Sequence, residues 1–203
     1  IVYFDSSINE LDASLYEKPF EHIKTHVHDQ LLNKIDKNKL ESKSTKDMEK
    51  QLEKWWVHWR PRPELNEAIG KLSRCIATVR VSKHRFFVWV DTNVVFDSRL
   101  LVIASDSWAS LGVLSSRVHE LWSLANSSMH GVGNDPTYNA QSCFETFPFP
   151  SSLSFRSEID DSDKINLAIV EAAKKLVDVR DSWLNPVEYV DRVKEIVSGF
   201  PDR

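Results

Sequence analysis

Residues 131–150 constrain the fold of this chain more than any other stretch. The run Gly131-Val132-Gly133-Asn134-Asp135-Pro136-Thr137-Tyr138-Asn139 closes in Cys143-Phe144-Glu145-Thr146-Phe147-Pro148-Phe149-Pro150. With only five glycines and eight prolines in 203 residues, such a string is not a composition effect. Glycine permits positive φ, Asn and Asp close turns with their side chains, and proline blocks helix continuation. The pattern predicts a loop of turn-formers that runs into an aromatic–proline anchor.

Around that loop the periodicities predict an α+β fold. Residues 75–81 and 85–90 are rich in β-branched and aromatic residues and read as two strands joined by the Ser82-Lys83-His84 corner. A further strand pair is expected near 93–96 and 100–104. Trp108, Leu111, Leu114, Val118, Leu121, Trp122 and Ala125 keep helical spacing, which predicts one central helix over 107–125 capped by Asp106 or Ser107. The expected architecture is a small, mainly antiparallel sheet with this central helix, flanked by N-terminal and C-terminal helices. Residues 1–54 read as a helical, weakly packed connector and 55–150 as the compact domain. A Ser-rich acidic linker (151–163) follows, then a helical tail (164–203). In the tail, one helix is expected over 164–183 and a second from Asn185-Pro186 to about Gly199.

Net charge is −4, yet the charge is not evenly spread. Lys54, Arg60, Arg62, Lys71, Arg74, Arg80, Lys83 and Arg85 stand against only Glu64 and Glu67 between residues 54 and 90. Clustered cations are what phosphate contacts require, whatever the total charge. A solvated basic hairpin with no partner has the same composition. No apolar run approaches the ~20 residues of a membrane span. Cys75 and Cys143 have neither a CxxC nor a secreted-scaffold spacing, so a reduced, cytoplasmic setting is expected. Ile1 is not a start methionine, which suggests a piece of a longer polypeptide.

No catalytic constellation is present in the sequence. His22, His26 and His28 lack a cysteine nearby and read as exposed helix histidines rather than zinc ligands. Asp160, Asp161 and Asp163 suit helix capping better than a nuclease centre, and Cys75 with His84 lacks an orienting third group. Among Trp55, Trp56 and Trp59, core packing is favoured, with Trp56 and Trp59 buried together and Trp55 elsewhere. Stacking on bases beside Arg60 and Arg62 is the alternative.

Three blocks resemble a known family in the expected order. They are Trp55-Trp56-Val57-His58-Trp59-Arg60-Pro61-Arg62-Pro63 with Arg74-Cys75-Ile76-Ala77-Thr78-Val79-Arg80-Val81-Ser82-Lys83-His84-Arg85, then Leu111-Gly112-Val113-Leu114-Ser115-Ser116-Arg117-Val118-His119-Glu120-Leu121-Trp122, and the 131–150 string. Together they resemble the target-recognition domain of MmeI-like (type IIG/IIL) DNA methyltransferases and fused restriction–modification enzymes of bacterial defence. The resemblance implies sequence-specific recognition of double-stranded DNA for an S-adenosylmethionine-dependent parent that methylates adenine. It also implies a catalytic methyltransferase domain as partner within the same polypeptide. A cofactor loop and an Asn-Pro-Pro-Tyr-like tetrapeptide are both missing from the sequence. No cofactor or metal is therefore expected in this fragment, and chemistry belongs to the parent.

The expected DNA-binding residues are Arg60, Arg62, Arg80, Ser82, Lys83, His84, Arg85, Arg117, Asn134, Tyr138 and Asn139. The basic 60–85 segment would contact phosphates, and loops near 80–85 and 131–139 would read base edges. Arg-Pro-Arg-Pro predicts extended backbone that sends Arg60 and Arg62 to one side. Each residue has a local alternative: Arg117 can pair with Glu120, and the loop asparagines can merely close turns. A protein-interaction module docking through its Trp-rich surface is the rival function.

Overall fold

The computed structural model describes residues 2–58, 62–132, 134–153, 160–190 and 193, and divides into two compact units, Ile1–Glu67 and Ala68–Arg203. Among the described residues the fold is α+β.

The first unit is helical: α1 (Glu10–Ser14), α2 (Glu17–Ile23), a wider π-type turn over Lys24–His28, α3 (Asp29–Leu40) and α4 (Lys46–Leu52). Asn9 caps α1 by accepting the Asp12 N–H at 2.8 Å. Phe4, Ala13, Phe20, Leu31 and Trp55 form the core, with the Phe20 and Trp55 rings 4.9 Å apart. Trp55, and not Trp56, is therefore the buried tryptophan. Half-buried Trp56 gives its indole N–H to Ile8 C=O at 3.1 Å, and Trp59 lies outside the described residues. Pro63 does not extend the chain but opens α5 (Pro63–Ile69) at its first position, where a missing N–H costs nothing. The half-buried Arg62 precedes that helix, and its C=O takes the Asn66 N–H at 3.0 Å.

The second unit holds the sheet. β1 (Arg74–Val79) is central, pairing antiparallel with β2 (Val88–Asp91) and with β3 (Leu100–Ile103). Its residues Cys75–Thr78 are buried in succession, as a strand covered on both faces requires. Residues 93–96 form no strand, because the Asp91 side chain accepts the Asn93 N–H at 2.8 Å and turns the chain.

The helix expected over 107–125 is two helices, α6 (Trp108–Leu114) and α7 (Arg117–Ala125). The apolar stripe runs across the break, but Ser116 turns extended (ψ 152°) and caps α7 by accepting the His119 N–H. α6 is buried almost all round. Behind α7 come a short hairpin, β4 (Met129–His130) with β5 (Asp135–Pro136), a π-type turn over Ala140–Phe144, and one 3-10 turn over Ser151–Leu153.

α8 (Lys164–Leu184) then packs along α6. Gly112 permits the approach: a Cβ there would lie 2.6 Å from Ile169 Cγ2. The acidic segment before α8 is more than a linker at its end. Asp161 reaches back to the start of α6, accepting from Ser107 Oγ at 2.6 Å and from the Trp108 N–H at 2.8 Å. Capping was expected of these aspartates, but not on a helix so remote in sequence. Near the other end of α8, the Arg180 guanidinium donates to Phe87 C=O at 2.9 Å. After α8, residues 185–190 form a turn in which the Tyr189 N–H meets Pro186 C=O at 2.9 Å, so no helix starts at Asn185-Pro186. Residues 191, 192 and 194–199 of that expected helix lie outside the described residues.

Candidate nucleic-acid interface

At Arg80 the chain changes partner. Its N–H donates to Arg99 C=O at 2.8 Å, the last link to the β3 side, whereas its C=O accepts the Tyr138 N–H at 2.6 Å. Val81 then bridges Thr137 antiparallel, and the Ser82 N–H reaches Pro136 C=O at 3.3 Å. The 82–85 corner is thereby tied to the base of the 129–136 hairpin, although about 50 residues separate them in sequence. Two loops expected to face DNA thus share one end of the second unit.

Within this junction some polar side chains point inward. Tyr138 has 0% exposure, and its hydroxyl lies 2.7 Å from Nε2 of His119, itself 0% exposed. Phe87, Phe147 and Phe149 surround the His119 ring, Phe147 edge-on at 4.5 Å. Burial, then the nearby Arg85 cation, lowers the His119 pKa from 6.5 to about 4, and burial pushes the Tyr138 phenol well above its usual range. Arg85 is half-buried. Its guanidinium donates to Thr78 Oγ1 at 3.2 Å, to Val79 C=O and to Pro136 C=O at 3.2 Å, and sits over the Tyr138 ring at 5.1 Å. Its pKa is lowered, chiefly by burial. Arg85 and Tyr138 were expected to meet DNA; here they hold the corner and the hairpin base together.

Other expected residues face outward. Lys83 and His84 are exposed and make no side-chain hydrogen bond or ion pair with any described residue. Ser82 Oγ donates to His84 C=O at 2.7 Å and sets the corner. Exposed Arg80 anchors its Nε on Ser98 C=O at 2.8 Å, which leaves the outer guanidinium nitrogens free. Asn134 is exposed in a left-handed conformation (φ 52°) in the hairpin tip, and Gly131 also has positive φ (81°). The side chain of exposed Asn139 makes a long contact to Thr137 Oγ1 (3.4 Å). Arg117 is paired with Glu120 at 2.6 Å, the local alternative, although 72% of its side chain remains exposed. Arg62 belongs to the first unit, and Arg60 lies outside the described residues.

Arg99 and His130 were not anticipated. With Val79, Arg80, Val81 and Ser98 they line a groove where β1 leaves β3 for the hairpin. Arg99 follows the turn in which Asp97 accepts its N–H at 2.8 Å, so in sequence Asp97-Ser98-Arg99 signals only a turn.

No group of His, Cys, Asp and Glu among the described residues is placed to hold a metal. His22 and His26 stack at 4.2 Å, and His28 pairs with Asp29. Cys75 is buried with its thiol pKa pushed up, first by burial and then by Asp91, the reverse of an activated nucleophile. No helix among the described residues is long and apolar enough to cross a membrane.

No family model matches the chain, and no curated protein matches it. Among solved structures, the type IIL restriction–modification enzyme MmeI in complex with DNA matches with TM-score 0.52 and 20% identity. The match covers 68% of this chain and 17% of that one, so the chain spans a minor part of MmeI and shares its fold there.

Proposed function

We propose that this chain is the DNA-recognition part of a larger site-specific DNA methyltransferase or fused restriction–modification enzyme, reading double-stranded DNA from the end of its second unit. One observation carries the reading: the 82–85 corner is hydrogen-bonded to the base of the hairpin whose tip carries Asn134. Both parts carry exposed polar groups, Lys83 and His84 on one and Asn134 on the other. The likeness of fold to an enzyme solved with DNA supports it. Asparagine can bond adenine N6 and N7, and lysine guanine O6 and N7 or a phosphate.

We place the adenosylmethionine site outside the described residues of this chain. Gly131 stands in an exposed hairpin tip, and Asn185-Pro186 close α8 in a turn rather than seating a base. The cofactor and the methylation of adenine are therefore assigned to a catalytic domain elsewhere in the parent.

The test is selection of bound duplexes from a randomised pool at low salt, with a Lys83→Ala/Asn134→Ala/Asn139→Ala variant beside the wild type. A motif enriched by the wild type and lost by the folded variant is expected. Absence of enrichment by the wild-type chain and equally by the full-length parent overturns the reading.

A further inference from the structure

We infer that the groove lined by Arg80, Ser98, Arg99 and His130 is a phosphate-binding cleft that seats the DNA backbone beside the 82–85 corner and the hairpin. This rests on the DNA-recognition reading and adds a site with a separate task.

The groove follows from the topology. Antiparallel strands stay together while their N–H and C=O groups are exchanged, and at Arg80 that exchange is divided between Arg99 and Tyr138. The two ladders diverge there, and a volume of about 530 Å³ opens between them. Donor side chains come from three segments of chain: Arg80 after β1, Arg99 before β3, and His130 on β4. Among the described residues no carboxylate lines the groove. The nearest acids in sequence are Asp97, whose Oδ1 is held by the Arg99 N–H, and Asp135, paired in register with His130.

Arg80 is also pre-organised. Its Nε on Ser98 C=O fixes the plane of the guanidinium, so a forked, two-point contact with a phosphate costs little further ordering. Arg99 and His130 are exposed, with no side-chain hydrogen bond or ion pair to a described residue. Two arginines and a histidine around a concave surface with no carboxylate among its described lining residues fit an anion better than they fit one another.

The ligand class is a phosphodiester backbone read for charge and not for sequence. In the full 203-residue chain, Arg99→Ala and His130→Ala should each weaken duplex binding roughly tenfold. The loss should be equal on unrelated sequences and leave the selected motif unchanged. For Arg99→Ala the slope of log affinity against log salt should flatten by about 0.9, and Arg99→Lys should restore it. Lys175→Ala, exposed on α8 and outside the groove, is the control and should leave both unchanged.

An unaltered slope and affinity, or a changed motif, overturns the cleft while leaving the recognition reading intact. If the wild-type chain binds no duplex, that reading is in question, and the groove is judged by titrating inorganic phosphate against its amide NMR signals. Shifts confined to Val81, Ser98, Arg99 and His130 then support it, and their absence overturns it.

Discussion

At the base of the 129–139 segment, Tyr138 has no exposed surface, its hydroxyl meets a buried histidine, and a guanidinium lies over its ring. At the tip, Val132 is fully exposed, an added Cβ on Gly131 would touch nothing, and Asn134 holds a left-handed backbone in solvent. One sequence string therefore contains two kinds of residue. Thr137, Tyr138 and the Phe147–Phe149 anchor fix where the hairpin sits; Gly131, Val132 and Asn134 stand exposed at its tip. A buried base and an exposed tip is the division that the proposed recognition role needs, because an exposed loop can vary without loss of the fold.

The largest expected effect is at the base. Tyr138→Ala removes a fully buried ring from the cluster of Ile76, Phe87, Leu111 and Cys143 and should cost about 3–5 kcal/mol. Tyr138→Phe keeps the ring but leaves His119 Nε2 without its partner, at about 1–3 kcal/mol. Urea denaturation of both variants checks the order. A Tyr138→Ala cost below about 1 kcal/mol would show that the base is not the buried anchor described, since that is the range of surface changes.

Next comes acid sensitivity of the same base. The pKa of His119 is lowered from 6.5 to about 4, so the unfolded chain takes up its proton first as pH falls. The neutral ring contributes its full share of stability above pH 6.5. That share is lost progressively down to about pH 4, on the order of 3 kcal/mol in all. Carboxylates add their own acid dependence, so the measurement is the difference between wild type and His119→Gln in denaturant midpoint from pH 7 to pH 4. The wild type should lose more. Parallel curves would mean that His119 titrates normally and is reached by water.

How much of this was legible in the sequence depends on whether the deciding contact is local. β1 and β3 declared themselves through runs of branched residues, and Ser107 through its position before an apolar stripe. The break at Ser115-Ser116 stayed hidden because Val118, Leu121 and Trp122 continue the spacing of Leu111 and Leu114, and spacing alone cannot register a cap. Arg85 and Tyr138 were assigned to DNA because a polar tip gives no sign of whether it faces outward. Here both face inward, toward groups contributed by β1, Pro136 and α7. Asp161 on α6 and the Arg80–Arg99–His130 groove are joined only by tertiary structure, and no window of sequence contains them.

Smaller effects belong to the tip. Gly131 sits at φ 81°, where an L side chain is strained even in open space, so Gly131→Ala should cost about 1 kcal/mol. A base-like cost of 3 kcal/mol or more in the denaturation midpoint would mean that the tip, too, is structurally integrated.

The smallest stability change is expected at Asn134, and it sharpens the contrast most. Asn134 already holds φ 52°, and its only hydrogen bond to a described residue is the backbone one from its N–H to Gly131 C=O at 3.1 Å. Asn134→Gly keeps that backbone accessible and removes only the amide, so stability should move by no more than about 0.5 kcal/mol. If the tip reads bases, the same variant should lose its preference at one adenine in a duplex selection, by about 1–3 kcal/mol of discrimination, while unrelated sequences bind as before. An unchanged preference with unchanged stability would make Asn134 a turn residue alone and move base reading to Lys83, His84 and Asn139. The base and the tip can be separated in this way because one is measured by unfolding and the other only by what it binds.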